Sequence, residues 1–564
     1  MKKAAKKKAG PSGSKAAKTT ALRPNIDQQH WWDHLDTLLR SRQIAAGIAL
    51  LNEKESQWKS LQSADRAASD VLLTLAQWVD VGYRDAQFLR RMLDLLPSED
   101  RLKLGVSAYV RVRMAEAFHA LAVDDVDGTI RTLDIVLRLD RELLDVDLKT
   151  LAHLWKGRAH RRNADYEKAL EHIEAALALA STLPDSETIA AILKVQQAWL
   201  VFQRGDIGGA LHLFDEAEEV LQQTDHWIAL GNIESARGRI IRRKGDYVKA
   251  LHHFDRAVSF YEKRQPHHPN LARAVTNRAF VKRLLALQLQ KHIDSSVSRR
   301  VSTGLRKGSE GARLRPLHKQ YQDLYRSAIE ELERAKEICI LHEHHGGLAA
   351  ALLNAGHLHL DVGDLDLAER EAGEANAIAE RLNSAVLKVR AHILIGLIEN
   401  SHVEELLGNP EDVPSFARRA KQHCMNAVSL AQGTQNKRLL LNAHLALGEV
   451  AANNFFHDYD LARCCLDSAS ALLETEDADY VVDELNTLRT KLLKTVGIDD
   501  TLRAWSQGIV TGKSLQEVME EFAQLVVTQI WLREGRRISR VAKQLSMSPK
   551  KVRRLVKHDR SSMM

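Results

Sequence analysis

The 564-residue chain has few cysteines and no long apolar segment. Its four cysteines include no CxxC pair, which argues against a disulfide framework or a zinc site and favours reduced, buried thiols. No apolar run reaches the roughly 18 residues that a membrane helix needs. No apolar segment follows the basic N-terminus, as a secretory signal requires. These absences predict a cytoplasmic protein.

Prolines and aromatic residues are also scarce, with ten prolines and an aromatic share of 5%. Alanine and leucine are abundant, and both favour helices over strands. The composition therefore predicts an all-α fold.

The net charge of +7 conceals three basic segments. Residues 1–25 carry +8, residues 291–319 carry +6 and residues 531–564 carry +9. These segments together carry +23, so the rest of the chain carries −16. An acidic body with basic appendages is typical of a scaffold with a polyanion-binding end.

A pattern of small and apolar residues recurs along the chain. After Gly238, the residues at offsets 12, 16 and 19 are Ala250, Phe254 and Ala257. A small residue in one helix lets the next helix approach closely, and the alanines and phenylalanine fill the gap. The same offsets recur after Gly157, Ala198 and Gly356, and more weakly after Ala117, Ala279, Gly396 and Gly448.

Each repeat predicts two helices joined by a short turn, as at Gly245-Asp246, where Gly ends one helix and Asp caps the next. Over residues 100–475 the pattern resembles the tetratricopeptide repeat (TPR). The anchors from Ala117 to Ala279 are spaced by 40 or 41 residues, whereas the family's usual repeat is about 34 residues long. The resemblance implies a TPR-like α-solenoid of helix-hairpin repeats with extended helices or loops.

The domain organisation follows from these patterns. Residues 1–28 are expected to be a disordered basic tail, residues 29–495 a helical repeat array, and residues 496–513 a linker. The repeat register breaks after Ala279, and the matching second helix resumes only near Ala328. We expect the intervening basic, Ser- and Gly-containing stretch, about residues 285–320, to be a mobile surface loop.

Residues 514–560 differ in pattern from the repeats. Ser514 and Glu517 have capping-box spacing at the start of an amphipathic helix. A helix-turn-helix needs a small residue where two helices cross, an apolar turn residue and two apolar anchors. These are Ala542, Met547, Val552 and Leu555, and Ser548-Pro549 starts the second helix.

Residues 514–558 resemble the Fis-type DNA-binding domain of bacterial transcription regulators. The resemblance implies duplex DNA as a partner and a homodimer formed through the 514–531 helix. Two departures are Arg536-Arg537, where the family often has Gly-Asn, and Ser546, where it usually has Gly. The expected DNA-contacting residues are Arg536, Arg537, Arg540, Ser548, Lys550, Lys551, Arg553, Arg554 and Lys557.

The alternative for this segment is a charged terminal helix that only caps the array, since solenoids need polar caps. A cap does not require the small residue at the helix crossing or the +9 charge of residues 531–564. We therefore favour the helix-turn-helix.

Two other segments look like sites without meeting the requirements. The sequence GIVTGKS at 508–514 has three residues between its glycines, whereas a phosphate-binding loop needs four and a preceding strand. The histidines at 342–345 and 357–359 lack the i, i+4 spacing of metal ligands, and we expect them to be solvated. No catalytic triad can be placed. The sequence thus predicts no enzyme, no cofactor and no metal.

Two repeats carry arginines at offsets 1, 4 and 5 from their anchors: Arg158, Arg161 and Arg162, and Arg239, Arg242 and Arg243. In TPR families these positions often line the inner groove, which implies a site for a carboxylate- or phosphate-bearing peptide. The alternative is that these arginines pair with the surplus acids of the body on a solvated face.

Taken together, these patterns predict a cytoplasmic, nucleoid-associated bacterial transcription regulator. Its array senses or recruits a protein or peptide partner, and its helix-turn-helix binds duplex DNA. The alternative function is a non-enzymatic TPR scaffold or adaptor whose basic ends contact RNA, ribosomes or acidic proteins.

Overall fold

The computed structural model describes residues 26–59, 66–101, 103–139, 144–184, 186–265, 267–303, 310–405, 412–495, 514–533 and 537–559. Every regular element within these ranges is an α-helix, which confirms the all-α fold class. None of the described helices is long and apolar enough to cross a membrane. The predicted linker and nearly all of the GIVTGKS segment lie outside the described residues.

The chain forms two compact units, residues 1–488 and residues 489–564. The first unit begins with helices that pack around the buried indoles of Trp58 and Trp78. Residues 26–28 already belong to the first helix, so the predicted disordered tail 1–28 extends too far. These helices are α1 (Ile26–Arg40), α2 (Ile44–Glu53), α3 (Glu55–Lys59), α4 (Arg66–Asp80), α5 (Ala86–Asp94) and α6 (Ser98–Arg101).

Eight helical hairpins follow in the described part of this unit, and the first helix of each contacts the first helix of the next. This is the predicted TPR-like α-solenoid. The hairpins are α7–α8 (Val106–Ala122, Val126–Leu137), α9–α10 (Val146–Arg162, Tyr166–Ala180), α11–α12 (Ser186–Gln203, Ile207–Leu221), α13–α14 (Trp227–Arg243, Tyr247–Arg264), α15–α16 (Pro269–Thr303, Glu310–Leu341), α17–α18 (His345–Asp361, Leu365–Arg381), α19–α20 (Ala385–Glu405, Val413–Gln432) and α21–α22 (Lys437–Ala451, Tyr459–Ala471), followed by α23 (Tyr480–Thr495).

The repeated small residues lie where the two helices of a hairpin cross. A Cβ atom added to Gly238 would lie 2.9 Å from the Phe254 ring, and one added to Gly157 would lie 2.8 Å from Ile173. Ala250 and Phe254 are fully buried. The offsets of 12 and 16 residues therefore mark side chains that pack against the anchor, as predicted.

Two of the described hairpin turns share one geometry. Gly245 has φ +80°, and the carboxylate of Asp246 accepts a hydrogen bond from the Lys249 amide at 3.1 Å. Gly205 has φ +97°, and Asp206 accepts from the Gly209 amide at 2.8 Å. A left-handed residue followed by an Asp cap reverses the chain between the two helices.

The mobile loop expected at about residues 285–320 is wrong, because most of that stretch is helical. Helix α15 has 35 residues and α16 has 32, and the two pack together as one long hairpin. Ala286 and Ile293, which fall within the predicted loop, are buried on α15. A helix pairs its own backbone groups and lets these side chains pack, whereas a loop would expose both. Only residues 304–309 lie outside the described part of this hairpin.

The array closes on itself through the turns of three of its first four hairpins. The amide of Gly346 donates to Asp124 at 3.1 Å, and the amide of Gln435 donates to the carbonyl of Ala164 at 3.2 Å. The amide of Ala478 donates to the carbonyl of Arg243 at 3.0 Å. Repeats far apart in sequence therefore touch, and they enclose the inner surface of the array.

The histidines at 342–345 take part in this closure, so the expectation that they are solvated is wrong. His342 and His344 are buried. The Nδ1 atom of His344 accepts from the Gly347 amide at 2.8 Å, and its Nε2 atom lies 3.5 Å from Asp124. Burial lowers the pKa of His344 to about 4. No group of metal-ligating side chains lies among the residues that the structure describes.

A buried carboxylate fastens the closure. The Asp477 side chain is fully buried and binds the guanidinium of Arg243 with both oxygens. It also lies 3.1 Å from Arg438 and accepts from the Glu474 amide at 3.1 Å.

Replacing this carboxylate tests the closure. We expect Asp477→Asn to lower the free energy of unfolding by about 3 kcal/mol, because it leaves Arg243 buried without its anion. The control is Asp460→Asn, whose side chain is 96% exposed beside Arg463 and which should cost less than about 1 kcal/mol. Denaturant unfolding followed by circular dichroism measures both. Equal small losses in the two variants contradict the role of Asp477.

Buried imidazoles make the array sensitive to acid. His153 and His172 meet Nδ1 to Nδ1 at 2.9 Å, and the ring of His160 stacks 5.5 Å from that of His172. Burial and, second, the charge of Lys156 together lower the pKa of His172 to about 4. An unfolded histidine titrates near pH 6.5. The unfolded state therefore binds more protons between these two values.

Thermal melting at several pH values tests this sensitivity. The stabilising contribution of neutral His172 is complete above about pH 6.5 and falls as the pH drops toward about 4. We expect His172→Gln to reduce the fall in melting temperature between about pH 7.5 and about pH 5. The exposed His252 supplies the control, His252→Gln, which should melt like the wild type. An identical pH dependence in all three proteins contradicts the assignment.

Candidate functional site

The inner surface of the array contains a cavity of about 130 Å³, which we call the arginine cavity. Its walls come mainly from α4, α9, α11, α13 and the start of α15. The lining residues are Arg42, Gln77, Asp80, Val81, Leu151, Leu154, Arg158, Arg161, Arg162, Ile192, Val195, Gln196, Trp199, Phe214, His226, Ile228, Ala229, Asn232, Ser235, Ala236, Arg239, Tyr261, Asn270 and Arg273.

The cavity lining carries six arginines and one carboxylate, Asp80. Both oxygens of Asp80 lie within 2.8 Å of Arg158, and the indole of Trp155 donates to the same carboxylate at 3.4 Å. Burial lowers the pKa of His226 well below its usual value, so this lining residue is neutral. At neutral pH the cavity lining therefore has a net charge of +5.

Three predicted groove arginines besides Arg158 line this cavity. Arg162 is ion-paired with Asp124 at 2.5 Å. The guanidinium of Arg161 lies 4.9 Å above the ring of Trp199, and its Nε atom is buried without an acceptor. The Nε atom of Arg239 is likewise buried without an acceptor. The structure thus brings four of the six predicted arginines together and leaves two of them without a carboxylate.

The electrostatic cost of this arrangement is visible in the arginine pKa values. Burial, followed by the nearby charge of Arg273, lowers the pKa of Arg239 to about 9. The same two causes lower the pKa of Arg161 well below its usual value. Burial also lowers the pKa of Arg162 to about 10, although Asp124 opposes the shift. A guanidinium that loses its water shell without gaining an anion is destabilised in its charged form.

The other two predicted arginines lie outside the cavity lining. Arg242 stacks 4.8 Å above the ring of Phe280, and burial lowers its pKa. Arg243 binds Asp477 in the closure. The two hypotheses for the repeated arginines, a ligand-binding groove and pairing with acidic residues, thus apply to different residues. Some of the arginines pair with acids, and others face the cavity unpaired. The acids that pair are buried rather than solvated.

Sequence reasoning missed Arg42, Asn232 and Arg273. Asn232 and Arg273 lie six residues before the anchors Gly238 and Ala279, and Leu151 and Ile192 occupy the equivalent places before Gly157 and Ala198. All four line the cavity, so an offset of −6 from each anchor was the available signal. Arg42 belongs to the turn between α1 and α2 and carries no repeat signal.

The second unit contains three described helices: α24 (Leu515–Arg533), α25 (Ile538–Gln544) and α26 (Pro549–Asp559). Ser514 and Glu517 form the predicted capping box, since the Ser514 amide donates to Glu517 at 2.7 Å. The Oγ atom of Ser548 accepts from the Lys551 amide at 3.3 Å and caps α26. The predicted anchors Ala542, Val552 and Leu555 are buried, in a core of Val527, Val541, Ala542, Val552, Leu555 and Val556.

One side of α26 is cationic and exposed. Four of the predicted DNA-contacting residues lie there: Lys550, Lys551, Arg553 and Arg554. Arg537, Arg540 and Ser548 are also exposed. Arg536 and the side chain of Lys557 lie outside the described residues.

No family model matches this sequence, and no curated protein matches it. Among solved structures, it is similar to a Rap protein complexed with competence and sporulation factor, at 12% identity and a TM-score of 0.45 over 83% of this chain and 99% of that one. It is similar to a monomeric IFIT1 mutant with Gppp-AAAA, at 13% identity and 0.42 over 79% and 88%. It is also similar to the apo quorum sensor NprR from B. thuringiensis, at 12% and 0.38 over 79% and 98%. These likenesses assign no ligand or activity to this chain.

Ser546 adopts φ +50° in the turn between α25 and α26, the left-handed region that favours Gly. A residue with a Cβ atom pays a steric cost there. We expect Ser546→Gly to stabilise the second unit by about 1 kcal/mol, measured by amide hydrogen exchange at Val541 and Val552. The control is Ser539→Gly within α25, which should destabilise the helix. Faster exchange in Ser546→Gly contradicts the strain argument.

Proposed function

We propose that this protein is a DNA-binding transcription regulator without enzymatic activity. Its helix-turn-helix binds duplex DNA, and its TPR-like array senses or recruits a protein or peptide partner. The observation that carries the proposal is the exposed cationic side of α26.

Helix α26 is divided into two sides of opposite character. Val552, Leu555 and Val556 face the core of the second unit. Lys550, Lys551, Arg553 and Arg554 are exposed, and among the described residues none of them forms an ion pair. A second helix held in this way can enter a major groove, with cations free to contact phosphates.

An apolar stripe on α24 supports the proposed homodimer. Leu515, Met519 and Phe522 are 76%, 64% and 50% exposed, and their spacing places them on one side of the helix. An exposed apolar stripe on a small unit is stabilised by a second copy of the same stripe. A dimer places two α26 helices on one duplex, so we expect a roughly palindromic site.

The array supplies the sensing part of the proposal. The +5 charge of the cavity lining suits an anionic partner, since arginines bind carboxylate and phosphate groups with paired hydrogen bonds. On DNA the protein would be nucleoid-associated. The scaffold function, with basic ends on RNA or acidic proteins, is the other outcome that the binding test distinguishes.

Binding of the full chain to random genomic DNA fragments, with sequencing of the retained pool, tests the proposal. We expect Lys551→Ala and Arg554→Ala to weaken duplex binding about tenfold each and to reduce the salt slope by about one. The control is Arg463→Ala, an exposed arginine paired with Asp460 in the array. Unchanged duplex binding in both variants, or stronger binding of single-stranded RNA by the wild type, contradicts DNA recognition by α26 and favours the scaffold.

A further inference from the structure

The arginine cavity contains buried positive charge that the described residues do not neutralise. Arg161 and Arg239 have buried Nε atoms without an acceptor, and the described residues provide no ion pair to Arg273. The carboxylate of Asp80 is already bound by Arg158. Burying a charge without a counter-charge destabilises the protein, because the charge loses its hydration and gains no partner. The empty cavity is therefore less stable than one that holds an anion.

We propose that the arginine cavity binds the phosphate group of a small ligand. Its guanidiniums come from the first helices of three hairpins, with Arg161 on α9, Arg239 on α13 and Arg273 on α15. A phosphate carries up to two charges and offers three oxygens, so several guanidiniums can bind it at once. A carboxylate offers only two oxygens and one charge. Arg158 is paired with Asp80 and Arg162 with Asp124, so four of the six cavity arginines lack a carboxylate among the described residues. This excess of positive charge fits a phosphate or diphosphate better than a single carboxylate.

The size of the cavity limits the ligand. Its volume of about 130 Å³ is several times the roughly 30 Å³ that one water occupies. This space suits a compact molecule rather than a long peptide segment. Neutral polar groups are also present: Asn232 accepts from the Tyr261 hydroxyl at 2.8 Å, and the buried Oε1 atom of Gln196 has no donor. That oxygen can accept a hydrogen bond from a ligand hydroxyl group.

Replacing an unpaired arginine of the cavity should have opposite effects on the stability of the empty protein and of the ligand-bound protein. Removing a buried cation without an anion relieves repulsion in the empty protein, whereas it removes a binding group from the occupied protein. We therefore expect Arg239→Gln to melt at a higher temperature than the wild type without ligand. The same variant should lose most of its stabilisation by phosphate. A residue with a purely structural role would lower the melting temperature under both conditions.

The experiment measures inorganic pyrophosphate binding to the full chain by titration calorimetry, in phosphate-free buffer without DNA. We expect one site per chain in the wild type and an affinity at least about tenfold lower in Arg161→Gln and in Arg239→Gln. Arg239→Lys keeps the charge without the guanidinium fork and should bind with intermediate affinity. The control is Arg334→Gln, an exposed arginine paired with Glu262 outside the cavity, which should bind like the wild type.

Three results would overturn the proposal: no stoichiometric binding, equal binding by the cavity variants and the wild type, or citrate binding as tightly as pyrophosphate. The inference goes beyond the proposed function, because it assigns the array a small phosphate-bearing ligand in addition to a protein or peptide partner. The titration contains no DNA and the variants leave α26 unchanged. Failure of phosphate binding is therefore distinguishable from failure of DNA binding.

Discussion

Closure of the array on itself is the constraint on which the rest of the first unit depends. In an open solenoid the hairpin turns would face solvent. Here they contact segments more than 200 residues away in the sequence: Arg243 binds Asp477, and the carbonyl of Ala164 accepts from the amide of Gln435. Because these contacts hold distant repeats together, the inner side chains cannot reach bulk water freely. The side chains that line the interior are therefore forced to find partners there or to remain unpaired.

Two arginines of one repeat, Arg239 and Arg243, illustrate the two outcomes. Arg243 has a fully buried carboxylate opposite it, and the pair fastens the closure. Arg239 lies on the same helix but faces a cavity whose single carboxylate belongs to another arginine. Both side chains lose hydration, but only one regains an opposite charge. The guanidinium of Arg243 thus stabilises the closure, whereas that of Arg239 remains able to bind an anion.

The second unit follows a different physical design. Among its described residues, six small or medium-sized apolar side chains form the core, and the cations of α26 are exposed outside it. The cost of keeping cations on α26 is small because they stay hydrated. These exposed charges can contact a polyanion at the protein surface. The arginines of the cavity can bind only an anion that enters the protein. The chain therefore carries positive charge in two forms, one exposed and one enclosed.

Local periodic patterns determined much of the fold. Gly238 with Ala250 and Phe254, the Gly245-Asp246 turn and the Ser514–Glu517 capping box all act between residues close in sequence, so their spacing predicts their contacts. The loop expected near residue 300 is wrong, because the Ser and Gly content of this stretch does not show that it packs against the partner helix α16. Composition indicates the intrinsic conformational preference of a segment, but not the free energy that the segment gains by packing against another helix.

Tertiary structure alone decided which charges are paired. The sequence identified Arg158, Arg161, Arg162 and Arg239 as members of one repeated set, and nothing in their spacing separates them. Their environments differ because Asp80 and Asp124 come from other hairpins or helices, brought in by packing. Arg42 and the burial of His344 were invisible for the same reason. Repeat periodicity encodes which side of a helix faces inward, but the winding of the whole array decides what each inward side chain meets.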